Sequence, residues 1–141
     1  MSEYRDEATI RRLLSTRGRW AVVGLSTNTA RPAYGVARFL QHDLGQEIIP
    51  VNPRGEGVHG AEGYQSLAEV PGPIDVVDCF VNSERVGTVV DQAIAVGAGA
   101  VWLQLGVIDE AAAHRAQKAG LAVVMDMCPA IEAPRLAGGL S

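Results

Sequence analysis

Apolar residues recur along the chain in two rhythms, short unbroken runs and longer stretches in which they return at helical spacing. Asp6 opens a first helix reaching about Thr16, with Ile10, Leu13 and Leu14 on one face, and Gly18 breaks it. Trp20 to Val23 reads as strand one, and Pro32 to about Gln41 as a helix carrying Val36, Phe39 and Leu40 on one side. Glu47 to Val51 reads as strand two, closed by Pro53. A glycine-rich loop from Arg54 to Gly60 follows, then a short capped turn at Ser66 to Glu69. Ile74 to Val81 is almost wholly apolar apart from Asp75 and Asp78, the pattern of a strand covered on both faces. Ser83 is placed to cap a helix striped by Val86, Val89, Val90, Ala93 and Ile94, which ends at Gly97. Ala100 to Leu105 gives strand four, Asp109 caps an alanine-rich helix stopping at Gly120, and Leu121 to Met125 gives strand five. The tail after Cys128 holds a last short helix limited by Pro134.

Strand and helix thus alternate five times, with crossovers long enough to require parallel pairing. The expected fold is a doubly wound, Rossmann-like α/β sheet of five parallel strands in the order 3-2-1-4-5, one domain over residues 1–141. Such sheets bind ligands outside the carboxyl ends of their strands, at the switch point beside strand one.

The residues that follow each strand therefore carry the functional reading. After strand one, Gly24 ends the apolar run, and Ser26, Thr27 and Asn28 offer short hydroxyl and amide donors. Arg31 adds a charge, and Pro32 suits the first helical position. Backbone N–H groups and a helix N-terminus at such a corner favour an anion, so the segment reads as a phosphate cradle. It is neither a GxGxxG nor a P-loop, and an ordinary strand–loop–helix corner is the plain alternative.

After strand two, Asn52-Pro53-Arg54 lacks the carboxylate that accepts from the ribose hydroxyls of NAD. Amide and guanidinium groups there favour a phosphorylated ribose, which narrows the ligand to coenzyme A or NADP. A simple turn at Asn52-Pro53 competes with that reading. After strand three, Phe80 offers an aromatic face, followed by Val81 and Asn82. After strand four, Gln104 interrupts an apolar run, and Gly106 and Val107 follow. A buried unpaired amide costs about 1–3 kcal/mol, so Gln104 needs a partner from a ligand or a loop.

Composition narrows the classes. With 141 residues, 48% hydrophobic and 20% charged, the chain suits one compact core. A net charge of −4 argues against nucleic acid and anionic membrane as partners, although Arg19, Arg31, Arg38 and Arg54 could gather locally. No apolar stretch is long enough to span a bilayer and the first residues are acidic, so the expected location is cytoplasmic. Cys79 and Cys128 stand far apart without metal-ligand spacing; Cys79 reads as a core residue.

Four motifs in order, Val22-Val23-Gly24 with Arg31-Pro32, Ile49-Pro50-Val51-Asn52-Pro53, Asp75-Val76-Val77-Asp78 with Phe80, and Trp102-Leu103-Gln104-Leu105-Gly106-Val107, carry a resemblance across almost the whole chain. The sequence resembles the small stand-alone CoA-binding proteins of bacteria and archaea, themselves similar to the N-terminal CoA-binding domain of the succinyl-CoA synthetase alpha subunit. That resemblance implies coenzyme A or an acyl-CoA as ligand. It implies Gly24, Ser26, Thr27, Asn28 and Arg31 at the phosphates, and Asn52, Pro53 and Arg54 beside the adenosine 3′-phosphate. Phe80, Val81 and Asn82 would lie along the adenine or pantetheine path, and Gln104, Gly106 and Val107 near the pantetheine. Relatives often carry an arginine where Val81 stands, and Asp-Arg-Cys where Asp126-Met127-Cys128 stands, so two positive charges are absent.

No catalytic constellation is evident. His42, His59 and His114 read as solvated surface residues, and Asp75 and Asp78 face opposite ways on a strand. Cys128, just ahead of a helix, is the one candidate for thiol chemistry, a mixed disulfide with the CoA thiol, although strand five lies away from the switch point. The expected function is a non-catalytic CoA-binding or sensing module, working as a small homo-oligomer. An NADP-linked oxidoreductase fragment and an interaction domain with an empty nucleotide pocket are the alternatives.

Overall fold

The computed structural model describes residues 4–137. Its strands are β1 Arg19–Val23, β2 Glu47–Val51, β3 Val76–Cys79, β4 Ala100–Leu103 and β5 Ala122–Met125. Its helices are α1 Glu7–Ser15, α2 Pro32–His42, α3 Val86–Ala95, α4 Glu110–Lys118 and α5 Pro129–Ala137, with one 3-10 turn at Leu67–Glu69. All strands pair in parallel within one sheet.

Each strand sends alternate residues to opposite faces, and each face has its own core. Trp20, Val22, Val76, Trp102 and Val124 pack with the apolar faces of α1, α2 and α5. Ala21, Ile49, Val77, Val101 and Val123 pack with α3, α4 and Leu67. Trp20 and Trp102 meet under the first group of helices, their ring centroids 5.7 Å apart. Helix starts follow local chemistry: the Asp6 carboxylate accepts from the Thr9 N–H at 2.9 Å, and that of Asp109 from the Ala112 N–H at 3.0 Å. Ser83 does not cap α3, whose N-cap position falls to Arg85; its hydroxyl reaches instead to the loop after β4, accepting from the Ile108 N–H at 2.9 Å. Ser66 precedes the 3-10 turn without a side-chain capping bond. Helix α5 runs through Pro134, held by packing against α1 and α2.

The sheet order is β2-β1-β3-β4-β5, not the expected 3-2-1-4-5. Pro50 supplies the physical reason. Proline cannot donate to a ladder, so a strand containing it belongs at a sheet edge. Here β2 pairs only with β1, and on its free side the Pro50 carbonyl accepts from the Tyr64 N–H at 2.9 Å. At the opposite border the Tyr4 carbonyl accepts from the Met125 N–H of β5 at 3.0 Å. This is the second common doubly wound order, and its reversal falls between β1 and β3. The end of β3, rather than that of β4, therefore abuts the loop after β1.

Candidate ligand-binding cleft

A cleft of about 1050 Å³ runs along the carboxyl ends of the strands, centred on that reversal. Twelve of the residues expected at a ligand line it: Gly24, Ser26, Asn28, Arg31, Pro32, Asn52, Pro53, Phe80, Val81, Asn82, Gln104 and Val107. Thr27, Arg54 and Gly106 are exposed and lie outside the lining. Of the four arginines counted around the first two strands, Arg31 alone lines the cleft. Arg19 begins β1, where its guanidinium donates to Glu47 and to the Pro71 and Pro73 carbonyls. Beginnings and ends of parallel strands lie at opposite borders of a sheet, so proximity in sequence did not make that cluster.

Gly24 has φ of +100°, and a Cβ there would overlap the Phe80 carbonyl, so the two strand ends touch through backbone. Beyond it the loop folds on its own side chains. The Ser26 hydroxyl accepts from the Asn28 N–H at 3.2 Å, and Asn28 Oδ1 accepts from the Ala30 N–H at 3.0 Å, an Asx turn that feeds into α2. Arg31 holds the N-cap position without a side-chain capping bond, and Arg31, Pro32 and Ala33 present the first turn of α2 to the cleft. Pro32 has no N–H, and the N–H groups of Arg31 and Tyr34 donate to the Asn28 and Arg31 carbonyls at 3.2 and 3.1 Å, so what this turn brings to the cleft is chiefly the Arg31 charge and the positive end of the helix dipole.

Asn52 is spent on the fold. Its Nδ2 donates to the Leu25 and Glu56 carbonyls at 2.9 and 3.0 Å, and its Oδ1 accepts from the Arg54 and Glu56 N–H groups at 3.1 and 2.9 Å. It ties the loop after β2 to the loop after β1, a scaffolding role. The next loop is clasped to α2 by His59. One ring nitrogen of His59 lies 2.8 Å from the Tyr34 carbonyl, and the ring packs on Tyr34 at 4.4 Å. His59 is half-buried, not solvated, whereas His42 and His114 are exposed.

Gln104 behaves differently. It is only 6% exposed and lines the cleft, yet its Oε1 has no hydrogen-bond partner. Cys128 also lines the cleft, half-buried and free, although β5 stands two strands from the reversal. Gln65, Glu84, Arg85, Thr88 and Gln92 line the cleft as well and went unread in the sequence. Arg85 is the notable one, a second cation in the same lining as Arg31, with the Glu84 carboxylate next to it in sequence. For Glu84, Arg85, Thr88 and Gln92 the sequence signal is position, because the start and first turns of a helix that follows a central strand overhang its carboxyl end, whereas Gln65 comes from the loop after β2.

Beneath the cleft, Asp78 sits fully buried in β3 with neither carboxylate oxygen partnered, and burial pushes its carboxyl well above the usual range. Burial, helped by the charge of Asp78, also pushes the neighbouring Cys79 thiol up. Neither residue lines the cleft. Among the described residues no group of three or more His, Cys, Asp or Glu is arranged to hold a metal, and no helix is long and apolar enough to cross a membrane.

Residues 18–134 match the CoA binding domain family. The chain belongs to that family. This CoA-binding domain is 38% identical over 123 residues to the uncharacterised protein YneT of Bacillus subtilis, a match covering 87% of this chain and 90% of YneT. It is also 38% identical over 66 residues to the alpha subunit of the ADP-forming acetate–CoA ligase II of Pyrococcus furiosus. That match covers 47% of this chain but 14% of the ligase subunit. Among solved structures, a hypothetical protein from Pyrococcus horikoshii superposes with a TM-score of 0.87 at 36% identity, covering 98% of this chain and all of that one. The Thermus thermophilus protein cell-free ID.343 superposes with a TM-score of 0.85 at 33% identity, over 93% of this chain and 98% of its own.

Proposed function

We propose that the cleft binds coenzyme A or an acyl-CoA and that the chain acts as a non-catalytic binding or sensing module. The observation that carries this reading is the pairing, in one cleft, of an uncapped α2 N-terminus beside Arg31 with the buried, unpartnered Oε1 of Gln104. From the end of β1 to the end of β4 the lining passes from the Arg31 cation, past Phe80, to the amide of Gln104. Coenzyme A has the complementary order, phosphates at one end and a pantetheine arm with two amide N–H groups at the other.

In this reading the loop from Gly24 to Arg31, with the start of α2, holds the diphosphate, and Phe80 packs on the adenine or the pantetheine arm. Arg85 offers a second cation to the ligand's phosphates, and Gln104 accepts from a pantetheine amide. The bound cofactor supplies a thiol or thioester; the chain's residues bind and orient it. The end of β2 lacks the ribose-binding carboxylate of an NAD site, which leaves NADP as the competing nucleotide.

Calorimetric titration of ligand-free, folded protein with CoA, dephospho-CoA, NADP and NAD tests the reading. CoA is expected to bind tightest, with a measurable loss on removal of the 3′-phosphate. Preference for NADP overturns it in favour of an oxidoreductase fragment, and heat with none of the four favours an interaction domain.

A further inference from the structure

The loop that carries Gln104 into the cleft is held from behind by a residue in an unfavourable backbone conformation. Asp126, immediately after β5, has φ of +61°, in the left-handed region that favours glycine and that aspartate and asparagine enter more readily than other side chains. From there its Oδ1 accepts from the Gly106 N–H at 2.7 Å. Its other carboxylate oxygen pairs with the Arg5 guanidinium, which also donates to the Asp126 carbonyl at 3.4 Å. Gly106, at φ of +85°, is the middle of the segment that brings Gln104, Leu105 and Val107 to the cleft wall. From the opposite side Ser83 donates to the Gly106 carbonyl at 3.4 Å and accepts from the Ile108 N–H. Within the loop the Val107 N–H donates to the Gln104 carbonyl at 2.8 Å.

Glycine would occupy the Asp126 backbone position without strain. An aspartate there bears a cost that its side-chain contacts must offset. Those contacts are Arg5 and the Gly106 N–H, and Asp126 itself does not line the cleft. We propose that Asp126 is a positioning residue: through Gly106 it presets the loop after β4, so that Gln104 and Val107 meet the thiol-bearing arm of the ligand. The inference rests on the CoA reading given above.

Three variants and two ligands test it. Asp126→Gly removes both side-chain contacts and relieves the strain, so the fold survives. Asp126→Asn keeps an acceptor for Gly106 and tolerates the left-handed region. Arg5→Ala removes the ion pair and leaves the Gly106 bond in place. The ligands are CoA and adenosine 3′,5′-bisphosphate, which lacks the pantetheine arm. Asp126→Gly is expected to weaken CoA about tenfold, the scale of one charge-assisted hydrogen bond, and to leave adenosine 3′,5′-bisphosphate unchanged. Asp126→Asn and Arg5→Ala are expected to stay within about threefold of wild type for both ligands. Hydrogen exchange at the Gly106 amide should accelerate in Asp126→Gly alone.

An Asp126→Gly protein that binds CoA like wild type, or that loses both ligands equally, overturns the inference. So does Arg5→Ala reproducing the full loss. Failure of the wild type to bind CoA overturns the functional reading and takes this inference with it; normal wild-type binding beside an unaltered glycine variant overturns this inference alone.

Discussion

On the β2 side of the cleft, Asn52 uses both side-chain heteroatoms on backbone groups of its own chain, whereas on the β4 side Gln104, almost as buried, leaves its Oε1 unmet. The two amides stand at equivalent places, each at the carboxyl end of a parallel strand. One wall is finished by folding, while the other keeps a buried acceptor unmet. The cleft therefore has one rim tied by its own chain and one rim with hydrogen-bonding capacity to spare.

The sharpest way to break this contrast is Asn52→Ala. It strands the Leu25 and Glu56 carbonyls and two N–H groups, and a loss of about 3 kcal/mol in urea unfolding is expected. A loss below about 0.5 kcal/mol would show that the β2 rim is not set by Asn52.

Asp78 supplies the next largest effect, as a buried polar group that no ligand can reach. Its raised carboxyl keeps a proton in the fold that the unfolded chain gives up above its ordinary value of 3.8. The unfolded state then binds fewer protons, so this contribution to stability is full below about 3.8 and declines as pH rises toward the raised value, by up to about 1.4 kcal/mol per pH unit. Asp78→Val should gain about 2 kcal/mol at neutral pH and flatten that slope relative to wild type. An unchanged pH profile would mean that the carboxyl is not neutral in the fold.

Gln104→Leu should be neutral or gain about 1 kcal/mol in stability while weakening CoA about tenfold. Loss of stability without loss of affinity would make Gln104 a second Asn52. The smallest effect is expected from Arg54→Ala, less than about twofold in CoA affinity, against about tenfold for Arg31→Ala. Equal losses would bring the loop after β2 to the ligand.

The sequence made legible what is decided locally. Asp6 and Asp109 announce helix starts because a short carboxylate beside free N–H groups has few other uses, and β2 is bounded as read, from Glu47 to Val51. Strand order was missed because it depends on which edges pair, yet Pro50 was the visible mark of an edge. Ser83 looks like a cap by composition but reaches to the loop after β4, since a hydroxyl beside an exposed turn can satisfy either. Most of the expected cleft residues lie right after strands, where the fold class alone places them. Arg85, Thr88 and Gln92 escaped because they lie on helix turns whose overhang is a matter of packing, and the Asn52 network escaped because its partners are backbone groups that no side-chain pattern encodes.

The two borders of the sheet bear on how the chain behaves in company. Pro50 and the strand-like pairing with Tyr64 close one border, and the Tyr4 carbonyl occupies the other at Met125. A flat, unpaired strand is the template on which β-rich aggregates grow, and among the described residues the β2 border is withdrawn from that role by a proline and a bonded loop, while the β5 border is met at one N–H. Sheet extension is thus discouraged most at β2.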